Sequence, residues 1–147
     1  PVWPIALRKG RASIETPRRA IGDLLGHAVR FGVTEEIMAV GEGIETILSL
    51  RCVLPDMPVA AALSAAHLAA VQFPDGLRRL YIARDDDDAG AATTTTLIDR
   101  ATAAIVLSPR CGDFNKDLRI LGVDALRAAV RVQVAPQDVA RFIECAM

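Results

Sequence analysis

Residues 80–90 read LYIARDDDDAG, and this stretch decides the fold. Leu80 to Ala83 form an apolar run of strand character that breaks into four aspartates, then a small residue and a glycine. Consecutive like charges repel, and a helix N-cap needs only one of them. A strand that runs directly into an acidic turn and a helix is the repeating unit of a parallel α/β sheet. In such sheets functional groups gather just beyond the carboxyl ends of the strands.

The same alternation continues in both directions. Upstream, AVRFGV (28–33) alternates like a strand, and EIMAVG (36–41) is a compact apolar run ending in glycine. IETILSLRCVL then places Ile44, Ile47 and Leu48 at helical spacing, with Pro55 as the stop. MPVAAAL predicts a buried strand, and SAAHLAAVQF a short helix capped by Ser64. Downstream, AGAATTTTLIDRATA predicts a helix weakened by four β-branched threonines, with Asp88 placed to cap it. AIVLSP predicts a further strand, and DALRAAVRV and QDVARFIECAM predict helices. Strand–helix alternation at this interval implies a largely parallel sheet flanked by helices, in one α/β domain.

Composition bounds the rest. The 147 residues suit one domain, and 52 % hydrophobic residues can supply a core. A net charge of −1 excludes a polybasic nucleic-acid binder. Of the 17 basic residues only Lys9 and Lys116 are lysine. Arginine suits bidentate phosphate contacts, although a GC-rich genome produces the same bias. Cys52, Cys111 and Cys145 are odd in number and form no CxxC pair, which argues against a disulfide framework or zinc ribbon and for a reducing cytoplasm. His27 and His67 share no metal-ligand spacing. The start PVWPIALRKGRAS lacks a signal-peptide h-region, and residues 59–71 are too short and broken to span a bilayer. Residues 1–27 are expected to be an irregular lead-in belonging to a preceding domain, with a short helix at RRAIGDLLG. Residues 28–147 are then the folded domain. Because the chain begins with Pro rather than Met, a piece cut from a longer protein is the expectation.

Three acidic groups fall at strand ends. Glu42 lies within GEGIET after the strand 36–41, Asp85 to Asp88 follow LYIAR, and Asp113 and Asp117 lie in GDFNKDL after AIVLSP. Asp85 and Asp87 are two apart, so in extended backbone they share a side and can ligate one hard cation. Mg²⁺ prefers such carboxylates together with water. A third acid from another strand end could hold a second ion or accept a proton, as phosphoryl transfer requires. Gly43 is expected to be needed where a strand-to-helix turn approaches a metal or phosphate. Glu45 could be a site group or a first-turn carboxylate that complements the helix dipole. Asp117 could be only a surface residue.

VGEGIETILSL, then IARDDDDAG about forty residues on, then GDFNKDL, together resemble the Toprim domain over roughly residues 36–132. That domain is shared by bacterial-type primases, type IA and II topoisomerases, OLD-family nucleases and recombination mediators. The GEGIET, LSA and DFND-like segments are most similar to those of phage- and plasmid-type primases and primase-helicases. The resemblance implies a Rossmann-like parallel sheet. It also implies Glu42 as general acid or base and Asp85 and Asp87 as ligands of Mg²⁺ or Mn²⁺, with Asp113 as a further ligand. Thr46 stands where cellular primases often carry a second acid, and GDFNKD departs from the commoner DFND.

The implied activity is nucleotidyl transfer on a single-stranded DNA template, in the replication of a mobile element. Helicase or other replication domains are the expected partners, and no membrane is involved. The chain carries no zinc module and no GxxxxGK[ST] loop. A Toprim nuclease and a non-catalytic DNA-binding or assembly module are the alternatives. A topoisomerase needs a nucleophilic tyrosine, and the only one, Tyr81, lies in a predicted buried strand. Arg51, Arg78, Arg79, Arg84 and Lys116 are candidates for phosphate contacts, and a solvated arginine face balancing the acids is the plain alternative.

Overall fold

A computed structural model describes residues 7–8, 11–12 and 23–144. Two short strands, β1 (Leu7–Arg8) and β2 (Arg11–Ala12), pair antiparallel. The main body then runs β3 (Val29–Phe31), β4 (Ile37–Gly41), α1 (Ile44–Arg51), β5 (Val59–Ala61), α2 (Ala65–Ala70), β6 (Arg79–Ala83) and α3 (Asp88–Arg100). It continues through β7 (Ala104–Leu107), α4 (Phe114–Leu121), α5 (Val123–Arg131) and α6 (Pro136–Val139), which widens into a π-type turn over Ala140–Glu144. The helix expected at RRAIGDLLG falls largely on residues outside those described, and residues 25–26 form a turn.

The sheet order is β3-β5-β4-β6-β7. β5, β4, β6 and β7 are parallel, and only the edge strand β3 runs antiparallel. The central strands read as unbroken apolar runs because helices cover both faces. Alternation then sorts their side chains. Ala39, Tyr81 and Ala83 face a core built with Ile47, Leu50, Phe114, Leu126, Val130 and Phe142. Met38, Val40, Leu80 and Ile82 face the other, with Leu68, Val71 and Leu97. Helices α1, α4, α5 and α6 therefore cover one face, and α2 and α3 the other.

Two local features go beyond the sequence expectation. GDFNKDL is not an open loop: Asp113 starts α4, whose Phe114 is buried, and Gly122 (φ 84) ends it. The threonine run divides its labour. Thr93 and Thr94 are buried, while the Thr95 and Thr96 hydroxyls donate to the carbonyls of Ala91 and Ala92 at 3.2 and 3.3 Å. No described helix is long and apolar enough to cross a membrane.

Candidate active site

β4 and β6 are neighbours with Gly41 beside Ala83, so Glu42 and Asp85 leave adjacent strands at the same edge of the sheet. β7 follows on the other side of β6, with Leu107 beside Ala83, and its loop brings in Asp113. Glu42, Asp85 and Asp113 are half-buried, and Asp87 is exposed. The Glu42 carbonyl accepts from Leu63 N–H at 2.8 Å, which ties the LSA segment to the site edge. Leu63 itself is in the left-handed region (φ 73), and the Ser64 hydroxyl after it caps α2 by accepting from His67 N–H.

The four aspartates have separate tasks. Asp85 Oδ1 is buried and has no hydrogen-bond partner among the described residues. The Asp86 N–H donates to the Gly112 carbonyl at 2.8 Å, and its carboxylate takes Arg84 at 3.2 Å. Asp87, not Asp88, caps α3: its backbone is extended and its Oδ1 accepts from Gly90 N–H at 2.7 Å. Asp88 lies one position too late, inside the first turn, where its charge complements the helix dipole.

Gly90 is the glycine that this turn requires. A Cβ there would lie 2.3 Å from the Asp85 carbonyl oxygen, so only a residue without one lets α3 start against the acidic turn. Gly43 is not held by the fold itself: its φ is −89 and a Cβ would meet only ordinary contacts, the nearest at 3.5 Å. The protein's own packing does not demand glycine at 43.

The acids of the group feel one another's charge. Asp85 is pushed up to about 6, first by burial and then by the charges of Glu42, Asp113 and Asp87, with the Thr46 hydroxyl opposing the shift. Thr46 is buried in the first turn of α1, and nothing in the sequence beyond its place four residues after Glu42 marked it. Glu45, beside it, is exposed. Asp113 Oδ1 accepts from Lys116 N–H at 2.7 Å and Oδ2 pairs with Lys116 Nζ at 3.2 Å. Asp117, far from being a surface residue, is 1 % exposed, and both its oxygens accept main-chain N–H bonds.

The expected basic residues separate. Arg84 and Lys116 stand at the site edge of the sheet. Arg78 pairs with Glu36 and Arg79 with Asp138 at the opposite end of β6, roughly 20 Å away by strand rise. Arg51 closes the last turn of α1 and donates to the Pro55 carbonyl at 3.3 Å.

Among the described residues no three His, Cys, Asp or Glu side chains are drawn together as a preformed metal site. Asp87 and Asp113 are turned toward helix caps, which accounts for this. The donor set nevertheless fits a hard cation. It offers carboxylate oxygens only, with a buried unpartnered oxygen on Asp85 that would otherwise remain desolvated without compensation.

Comparison with known proteins agrees with this layout. No curated protein matches the chain. The primase fragment of the bacteriophage T7 primase-helicase protein, a solved structure, superposes with a TM-score of 0.56 at 18 % identity, over 69 % of this chain and 44 % of that one. The family model described as the Toprim domain matches residues 37–124, from the first residue of β4 into the first turn of α5. That span holds every acid of the strand-end group, and the chain belongs to the Toprim domain family.

Proposed function

We propose that residues 28–147 form the catalytic Toprim unit of a primase-like protein that joins nucleotides on a single-stranded DNA template. The observation that carries this reading is the convergence of Glu42, Asp85, Asp87 and Asp113 at one sheet edge around a buried, unpartnered Asp85 oxygen. Acids in this arrangement repel one another; the Thr46 hydroxyl eases the charge on Asp85 only in part, and Asp85 Oδ1 has no partner among the described residues. A bound cation supplies one.

In this reading Asp85 and Asp87 hold Mg²⁺, or Mn²⁺ in its place, with Asp113 contributing from the β7 side. When bound, the ion offsets charge on the transferring phosphate. Glu42, on the neighbouring strand, accepts the proton of the attacking hydroxyl and can return it to the leaving group. Thr46 steadies Asp85. Arg84, whose Nε is buried without a partner among the described residues, and Lys116 supply positive charge to template or nucleotide phosphates. Template reading and strand separation fall to other replication domains, a helicase among them. The likeness to a T7 primase-helicase fragment supports the fold on which this rests.

Calorimetric titration with Mn²⁺ and Mg²⁺ tests it. Wild type is expected to bind, and Asp85→Ala/Asp87→Ala to lose binding. Primer synthesis and nuclease assays on single-stranded DNA then separate nucleotidyl transfer from hydrolysis. Absence of metal binding in the wild type would sink the enzymatic reading and leave a DNA-binding or assembly module.

A further inference from the structure

Asp117 lies in the first turn of α4, one turn beyond Asp113, and is sealed from solvent. Its Oδ1 accepts from Cys111 N–H at 2.7 Å and its Oδ2 from Arg110 N–H at 2.8 Å. A buried carboxylate that accepts main-chain donors on both oxygens has little capacity left for a cation. What it does instead is fold the loop that leaves β7 back over the start of α4.

That loop reaches the acidic turn directly. Next to Cys111, Gly112 sits at φ 97, and its carbonyl accepts from Asp86 N–H at 2.8 Å. Asp86 is the residue between Asp85 and Asp87. A second clamp holds the near end of the loop: the Gln133 side chain accepts from Ser108 N–H at 2.8 Å and donates to the Ser108 carbonyl at 3.1 Å. The sequence of contacts is therefore Asp117 to residues 110–111, then Gly112 to Asp86, with Asp113 following at once as the α4 cap.

We propose that Asp117 is a positioning residue for the acidic site: through the 110–112 loop it fixes where Asp113 and the Asp85–Asp87 turn stand relative to one another. This rests on the metal-site reading given above. Two acceptor oxygens are essential to the role. Asparagine at 117 keeps one acceptor but turns an NH₂ toward a main-chain N–H, so one of the two bonds becomes a donor–donor clash.

The test is Mn²⁺ titration of wild type, Asp117→Asn and Tyr81→Phe, with unfolding temperatures measured on each. Loss of a direct outer partner of a metal ligand weakens binding by roughly 10- to 100-fold, and because Asp117 acts one step further out, through the main chain of Arg110 and Cys111, a loss of roughly 10-fold is expected for Asp117→Asn. Tyr81→Phe, in the middle of β6 with its hydroxyl bonded to Asp138 and Ala135 rather than to the 110–112 loop, lowers the unfolding temperature and is expected to bind like wild type. It thereby separates positioning from general destabilisation. If folded Asp117→Asn binds as wild type does, the proposal is overturned and the metal site stands. If wild type itself binds nothing, the metal-site reading falls first and takes this inference with it. Should Asp117→Asn not fold, Gly112→Ala perturbs the same loop with Asp117 and all four acids intact. It is expected to show the same loss, and wild-type affinity in that variant overturns the proposal.

Discussion

Asp85 couples protons to folding and to metal. Its folded pKa of about 6 lies above the ordinary 3.8, so the folded chain holds this proton more tightly than the unfolded one. The group therefore favours folding at pH below 3.8, and that contribution is lost as pH rises through about 6. The metal-free protein is expected to gain unfolding temperature between pH 7 and pH 5 relative to Asp85→Asn, whose profile lacks this contribution. Mn²⁺ affinity should run the other way, falling below pH 6 as the ion competes with the proton. Thermal scans and titrations across that range check both signs. The strand-end placement of Glu42, Asp85 and Asp87 was legible in the sequence, because an acid after an apolar run leaves a local signature. Thr46 and Asp117 were not. Their roles depend on which loop lies opposite them, and spacing does not encode that.

At the scale of elements, α3 carries a cost that its position explains. Thr93 and Thr94 are buried and, with Gly90 and Asp85, line the hollow under the acidic turn, whereas Thr95 and Thr96 are exposed and bond back along the helix. Back-bonding threonine is a poorer helix former than alanine by up to about 0.7 kcal/mol per residue. Thr95→Ala/Thr96→Ala is expected to stabilise the domain by about 1 kcal/mol, measurable by urea unfolding, with metal affinity unchanged. The strands of the sheet and helices α1, α2 and α3 were readable from period and punctuation. Helix α4 was not, because GDFNKDL is polar at four of its seven positions and opens on a glycine, and its buried anchors are Phe114 and Asp117. The cap of α3 was misplaced by one residue: in a run of four aspartates, composition cannot say which one lies three before the first free N–H.

Across the whole molecule, β6 joins two opposed tasks. Its carboxyl end presents the acids, and its start holds a buried polar network. The Tyr81 hydroxyl donates to Asp138 at 2.6 Å and accepts from Ala135 N–H at 3.0 Å, while Arg79 donates to Asp138 at 2.6 Å. Burial and the Asp138 carboxylate push the Tyr81 hydroxyl far up, so it remains a donor at any ordinary pH. The network fastens α6 to the sheet. Tyr81→Phe leaves Ala135 N–H and part of Asp138 unsatisfied and is expected to cost about 1–3 kcal/mol in chemical denaturation. Three-layer architecture was evident from alternating strands and helices. This fastening was invisible, because its partners lie 57 residues apart in the chain.

The Gln133 clamp on Ser108 has a consequence for how the molecule keeps company. β7 is the outermost strand on its side, and unpaired main-chain groups at such a rim invite a strand from another chain to add on. By offering a carbonyl and an amide to one residue, Gln133 imitates a neighbouring strand just past the end of β7 and blunts the rim where it meets the acid-bearing loop. A strand arriving at that corner would find both main-chain groups of Ser108 already taken by a single side chain.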